Sequence, residues 1–182
     1  MNKSKKLVVF FSHTGENYGV GNIDTGNTNI IADMIAEAVG AKKFQVMPEN
    51  VYPHGSYEKC CEVAKREKEE HARPKYQGNI DINDFDTIFV GYPNWWSDLP
   101  MVMYTFFEHH NWHGKTVIPF VTHEGSGMGH TDHKVAVACH GANTLVGKGL
   151  AIEGHVAQNQ RQQAQQAVNE WLEGLGFEVR TE

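Results

Sequence analysis

The stretch from residue 12 to residue 28 sets Ser12, Thr14, Thr25 and Thr28 among glycines and asparagines, between an apolar run and an amphipathic one. Hydroxyls and backbone N–H groups gathered where a helix begins suit an anion, because first-turn amides lack intrahelical partners and the helix dipole favours negative charge. Gly21, Gly26 and Thr28 satisfy the spacing of a nucleotide-hydrolysing phosphate loop, yet Asn27 stands where that loop needs a lysine to reach the outer phosphates. The dinucleotide fingerprint fails too: Gly19 and Gly21 supply two glycines but Asp24 holds the third place, and Gly125 and Gly127 are followed by His130. What remains is a cradle of uncharged donors. Each donor to an anion contributes about 1.5–3 kcal/mol and the dipole about 0.3–1 kcal/mol, so several together hold one phosphate monoester without a cation. The alternative, a loop that merely connects two elements, sits poorly with its length.

Two further loops carry chemistry. Residues 91–100, "GYPNWWSDLP", place Trp95 and Trp96 directly after a strand-like run, and their flat faces suit a planar aromatic ligand. Either indole could instead cover the core or an oligomer contact. Residues 122–133, "THEGSGMGHTDH", form a second Gly-rich loop whose backbone can approach a ligand closely. His123, His130, Asp132 and His133 tempt a metal reading, but no convergent third ligand is evident, and no metal centre is expected. No Ser/His/Asp or Cys/His pair stands at a spacing that suggests covalent catalysis, so no catalytic nucleophile is nominated.

The elements that must position these loops follow from periodicity. Residues 7–11 are continuously apolar and β-prone, as in a strand buried on both faces. Ile30, Ile31, Met34, Ile35, Ala38 and Val39 recur at helical period, with Asn27 or Thr28 as N-cap and Gly40 past the end. Strands are predicted at 43–47, 87–92, 116–122 and around 145–152, and helices at about 56–70, from Pro100, near 131–139 and at 158–175. Pro119 weakens the fourth strand. Strand and helix alternate five times with no hairpin signal, which argues for a parallel sheet covered on both faces. In such a sheet ligands sit beyond the carboxyl ends of strands where the strand order reverses.

Composition bounds the remaining classes. The chain has 182 residues, 40% hydrophobic and 21% charged, and suits one domain without an apolar run of membrane-spanning length. Its basic, then apolar, N-terminus reads as a first strand rather than a signal peptide. A net charge of −6 argues against nucleic acid as a partner. Cys60, Cys61 and Cys139 form neither a disulfide framework nor a zinc knuckle, which fits a reducing cytoplasm.

Together, the lysine-free loop ending in Thr25, Gly26, Asn27 and Thr28, the Trp-bearing loop after the third strand and the Gly-rich loop after the fourth resemble the flavodoxin-like family. The segments "GYPNWW", "FVTHEGSG" and "WLEGLGF" are similar to its short bacterial members and flavin-reductase relatives, and the resemblance spans nearly the whole chain. It implies an α/β flavodoxin-like fold over residues 1–182 as a single domain, with a five-stranded parallel sheet in the order 2-1-3-4-5, helices on both faces, and FMN as cofactor. It sets the phosphate against Ser12, His13, Thr14, Thr25, Gly26, Asn27 and Thr28. The isoalloxazine would lie between Pro93, Asn94, Trp95 and Trp96 on one side and His123, Glu124, Gly125, Ser126 and Gly127 on the other. Residues 15–24 stand as an insertion in the family's compact motif, and residues 94–97 lack the glycine that many flavodoxins place near flavin N5. The neutral cradle, Asp98 and the net charge imply a low reduction potential. The function implied is electron transfer between protein partners. The alternatives are an FMN-dependent quinone or nitro-compound reductase, with His123 or Tyr92 as proton donor, and a cofactor-free binding protein on the same fold. The partner would be a redox protein or a small quinone-like molecule, and Trp112 and Tyr104 could support a homodimer.

Overall fold

A computed structural model describes residues 4–181; residues 1–3 and 182, which the single-domain expectation includes, lie outside it. Eight strands and six helices follow in the order β1 (Lys6–Phe10), β2 (Gly15–Asn17), β3 (Gly21–Ile23), α1 (Asn27–Val39), β4 (Lys42–Gln45), α2 (Tyr57–Glu69), β5 (Thr87–Pro93), α3 (Met101–Glu108), β6 (Thr116–His123), α4 (Thr131–Ala138), β7 (Asn143–Thr144), β8 (Leu150–Glu153), α5 (Gly154–Asn159) and α6 (Arg161–Gly174). The main sheet is parallel, with the order β4-β1-β5-β6 and then β7 and β8 on the far edge. This is the expected 2-1-3-4-5 arrangement with its fifth place shared by two short strands.

Pro119 marks where the split occurs. Leu145 N–H donates to the Val117 carbonyl, so Val117 faces the outer edge and Pro119, two residues on, faces it too. β7 pairs with Thr116 and Val117, β8 pairs from Phe120 to His123, and the residue with no N–H falls in the gap between them. A central strand thus accommodates proline at the one stretch where its outer neighbour is interrupted. The second departure is the antiparallel pair β2–β3 inside the first loop, a hairpin where none was expected.

Strand alternation divides the core in two. Leu7, Val9, Phe11, Ile88, Val90 and Val121 face α2, α3 and α4, whereas Val8, Phe10, Phe89, Ile118 and Phe120 face α1, α5 and α6. Helices therefore cover both faces. α1 ends as its sequence implies, with Gly40 left-handed at φ 68°, but its N-cap is Gly26 rather than Asn27 or Thr28. Trp112 is no surface aromatic: it is 2% exposed and its Nε1–H donates to the Phe107 carbonyl at 2.9 Å. No helix among the described residues is long and apolar enough to cross a membrane.

Gly91 shows how tightly β5 and β6 are joined. It pairs with Phe120, and a Cβ on Gly91 would lie 2.0 Å from that ring's Cζ. Gly91→Ala is therefore expected to destabilise the protein by about 2–3 kcal/mol in urea unfolding, with Phe120→Leu restoring part of the loss in the double variant. A neutral Gly91→Ala would contradict this packing.

Candidate functional site

The chain runs from β1 to one side of the sheet and returns through β5 to the other, so the strand order reverses between these two strands. The loops after β1, β5 and β6 meet beyond their carboxyl ends around a cavity of about 560 Å³. Nine of the residues singled out from the sequence line it: His13 and Asn27; Pro93, Asn94, Trp95 and Trp96; His123, Glu124 and Ser126. Ser12, Thr14, Thr25, Gly26, Thr28, Gly125 and Gly127 do not line it.

Most of these seven residues hold the scaffold. Ser12 Oγ accepts the Asn29 N–H at 3.1 Å, capping α1 from the loop just after β1 because Gly26 has no side chain to do so. Gly26 is obligatory there: an added Cβ would stand 2.0 Å from Ser12 Oγ and 2.8 Å from the His13 carbonyl oxygen. Thr28 and Thr122 share a buried hydroxyl–hydroxyl bond of 2.7 Å, and Thr14 Oγ1 lies 3.0 Å from His54 Nδ1. The Thr25 carbonyl and Asn27 Oδ1 both accept from Gln158 Nε2, at 2.7 and 2.8 Å. The uncharged donors at this end are thus the first-turn amides of Asn27 and Thr28, with the Asn27 side chain beside them.

The two tryptophans diverge. Trp95 and Asp98 exchange N–H···O bonds of 2.9 and 3.0 Å around a two-residue turn in which Trp96 (φ 56°) and Ser97 (φ 58°) are both left-handed. That is a type I′ geometry, which favours Asn and Gly. Trp95 packs edge-on against Phe11 at 5.2 Å and Tyr52 at 5.1 Å. Trp96 is 49% exposed, donates from Nε1 to the Cys61 carbonyl at 3.2 Å and carries Lys65 Nζ 5.5 Å above its ring. Asn94 joins the second and third loops, donating its N–H to the Thr122 carbonyl at 2.9 Å and Nδ2–H to that of Gly127 at 3.0 Å.

Two carboxylates near the cavity, Glu124 and Asp98, are answered locally. Glu124 accepts the His155 N–H at 2.7 Å and approaches His155 Nδ1 at 2.8 Å, which raises the His155 pKa; Nε2 of the same ring lies 3.2 Å from Glu153. Burial pushes the His123 pKa down against the pull of Glu153 and Glu124, and its Nδ1 accepts the Gly125 N–H at 2.9 Å, leaving the proton of the neutral ring on Nε2. Asp98, expected as a bare charge beside the indoles, is instead buried: Oδ1 accepts from Leu99 N–H and the Tyr104 hydroxyl, and Oδ2 pairs with Lys134 at 3.0 Å. Tyr92 is fully buried with its hydroxyl 2.9 Å from Thr131 Oγ1, away from the cavity.

Several wall residues escaped the sequence reading. Asn17 and Tyr18 come from the hairpin, and Tyr57, Cys60, Cys61 and Ala64 from α2. The α2 residues recur at helical spacing, a signal that marks a buried face without saying that the face also borders a cavity. Among the described residues, no cluster of three or more His, Cys, Asp or Glu is gathered to hold a metal ion.

Ser97→Gly relieves a left-handed serine and should stabilise the protein by about 1 kcal/mol in urea unfolding; a loss of stability would contradict the turn assignment. His13 is 7% exposed with no partner for Nε2, and burial, then the neighbouring His54, lower its pKa from 6.5 to about 4. Folding therefore favours the neutral ring. Its contribution is complete above the unfolded-state value near 6.5 and is lost as pH falls toward 4, by up to about 2–3 kcal/mol. His13→Gln should lose correspondingly less stability than wild type between about pH 7 and pH 4.5, and equal losses would refute this.

The sequence matches the flavodoxin family over residues 5–175. In structure it is similar to a candidate flavoprotein of Bacteroides eggerthii, with 25% identity, a TM-score of 0.72 and 95% and 98% of the two chains covered. It is also similar to a Lactobacillus acidophilus flavoprotein solved in complex with FMN, at 21% identity and TM-score 0.59 over 86% of this chain and 97% of that one. A Fusobacterium nucleatum flavodoxin bound to flavin mononucleotide shares the fold at 14% identity and TM-score 0.52, covering 97% and 99%. None of the curated proteins searched matches the chain. With strand order, cavity placement and sequence match in agreement, the chain belongs to the flavodoxin family.

Proposed function

We propose that this protein binds FMN in the cavity between the three loops and serves as an electron-transfer protein. One observation carries the reading: at the strand-order switch, a lysine-free helix N-terminus and an indole-bordered cavity of about 560 Å³ occur together. The residues present fit the cofactor. Gly26 lets Ser12 pack against the α1 N-terminus, where a Cβ would stand 2.0 Å from Ser12 Oγ, and Gly154 lets Asn27 and Glu124 take their places on the cavity wall, where a Cβ would fall 2.2 Å from Asn27 Nδ2. His13 adds a buried nitrogen without a partner on the cavity wall.

The first-turn amides of α1 and the Asn27 side chain would hold the phosphate, and the ring would lie between the Pro93–Trp96 side and the His123–Ser126 side. FMN supplies reversible uptake of two electrons with their protons. The chain's own groups do the rest. Trp95 and Trp96 exclude water, Asn94 fixes the spacing of two loops through its bonds to Thr122 and Gly127, and His123 keeps a proton on Nε2 at the cavity edge. Three free cysteines, two of them buried, fit a reducing cytoplasm.

A second reading, a quinone or nitro-compound reductase, draws support from the cavity mouth. Tyr18, Tyr57 and Trp96 are 62%, 40% and 49% exposed there, an aromatic rim suited to a small planar acceptor. Tyr57, hydrogen-bonded to Cys61 and partly buried, has its pKa pushed up to about 12, so its hydroxyl remains a neutral donor.

Fluorescence titration tests the proposal. FMN should bind at or below about 1 µM and riboflavin at least about tenfold more weakly, because riboflavin lacks the phosphate. Gly26→Ala should weaken FMN by more than about tenfold while leaving riboflavin less affected. No binding of FMN overturns the proposal; naphthoquinone turnover with a nicotinamide reductant and no partner protein would favour the reductase.

A further inference from the structure

The hairpin of β2 and β3 is the part of the cavity wall that belongs to neither the sheet nor its covering helices. Its strands pair only with each other, three residues against three, and such a ribbon has little stability of its own. Its root is fastened: Glu16 N–H donates to the His54 carbonyl at 2.7 Å, and Asn17 Nδ2–H donates to the His13 carbonyl at 3.1 Å. Its tip rests on apolar contact. The Tyr18 ring lies 5.7 Å from that of Tyr57 at the start of α2, and Gly19 sits so close to Glu124 that a Cβ would come within 3.0 Å of the carboxyl carbon.

These contacts define a path. The root lies beside the end of β1, the tip reaches both α2 and the loop after β6, and Asn17, Tyr18, Tyr57 and Glu124 all line the cavity. The hairpin therefore crosses the mouth between two walls that the fold builds separately. We propose that it is a strap over the cofactor, in which Tyr18 is a retaining residue: its contact with Tyr57 closes the mouth after FMN enters, and its release sets how fast FMN leaves. The inference rests on the FMN reading above. A root held by hydrogen bonds and a tip held by ring contact let the tip lift without unfolding the loop, as a retaining strap requires.

Tyr18 is 62% exposed, so its replacement does not disturb the core. Stopped-flow fluorescence should show FMN leaving Tyr18→Ala about fivefold faster than wild type, with Tyr18→Phe close to wild type because the ring is kept. Replacing residues 17–21 with the two-residue turn Asn-Gly removes the tip and preserves the Glu16–Asn22 pair; it should raise the dissociation rate by more than about tenfold, with the association rate equal or faster. Dissociation rates within about twofold of wild type in both variants overturn the strap, as does weakened affinity arising from slower association alone. A wild-type protein that binds no FMN fails the underlying reading instead, so the two failures are distinguishable.

Discussion

The cavity depends on one buried contact, the 2.7 Å bond between Thr28 Oγ1 and Thr122 Oγ1. Thr28 lies in the first turn of α1 and Thr122 near the end of β6, and β5 runs between β1 and β6. Two elements that are not sheet neighbours are thus tied across the end of a third. The Thr122 carbonyl also accepts the Asn94 N–H, so the loop after β5 is fastened at the same residue. Both hydroxyls are almost fully buried, where a lone partner would carry its desolvation cost, about 1–3 kcal/mol, without return. The helix N-terminus, the indole turn and the Gly-rich loop therefore keep a common frame.

That frame sets the electrostatics. A chain of net charge −6 suggested a strongly negative site, yet two of the carboxylates near the cavity are engaged, Glu124 by His155 and Asp98 by Lys134 and Tyr104, while Glu58 of α2 lines it as an exposed charge. His13 is held neutral by burial. The cradle at α1 thus offers dipoles rather than a counter-ion. Asp98 presents no free charge to the cavity and Lys65 and Lys68 stand at Trp96 on its rim, so a low reduction potential would have to arise from the uncharged cradle at α1 and from exclusion of water.

The sequence showed the order of elements because long periodic segments, such as the stripe from Ile30 to Val39 and the β-prone run of β1, owe their form to local pattern. It showed less where structure depends on partners distant in the chain. Nothing local says that Ser12 and Thr28 are used by the scaffold, that adjacent Trp95 and Trp96 part company, or that Asp98 meets Lys134. The divided fifth strand follows from Pro119 on its neighbour, which no inspection of residues 143–153 alone reveals. The hairpin was hidden because its strands, Gly15–Asn17 and Gly21–Ile23, lack the β-branched alternation that marks a strand.

The turn at Trp96 and Ser97 shows how the scaffold fixes the indoles. Two successive left-handed residues without glycine cost roughly 1–2 kcal/mol each, so this conformation persists only where neighbours over-determine it. The neighbours are on α2: Lys68 Nζ–H donates to the Trp96 carbonyl, Trp96 Nε1–H donates to the Cys61 carbonyl, and Lys65 lies over the ring. Lys65 and Lys68 of α2 therefore anchor the indole turn. By holding Trp96 outward against the helix, α2 leaves Trp95 to pack inward on Phe11 and Tyr52, and a single strained turn gives the cavity one indole in the protein interior and one at its mouth.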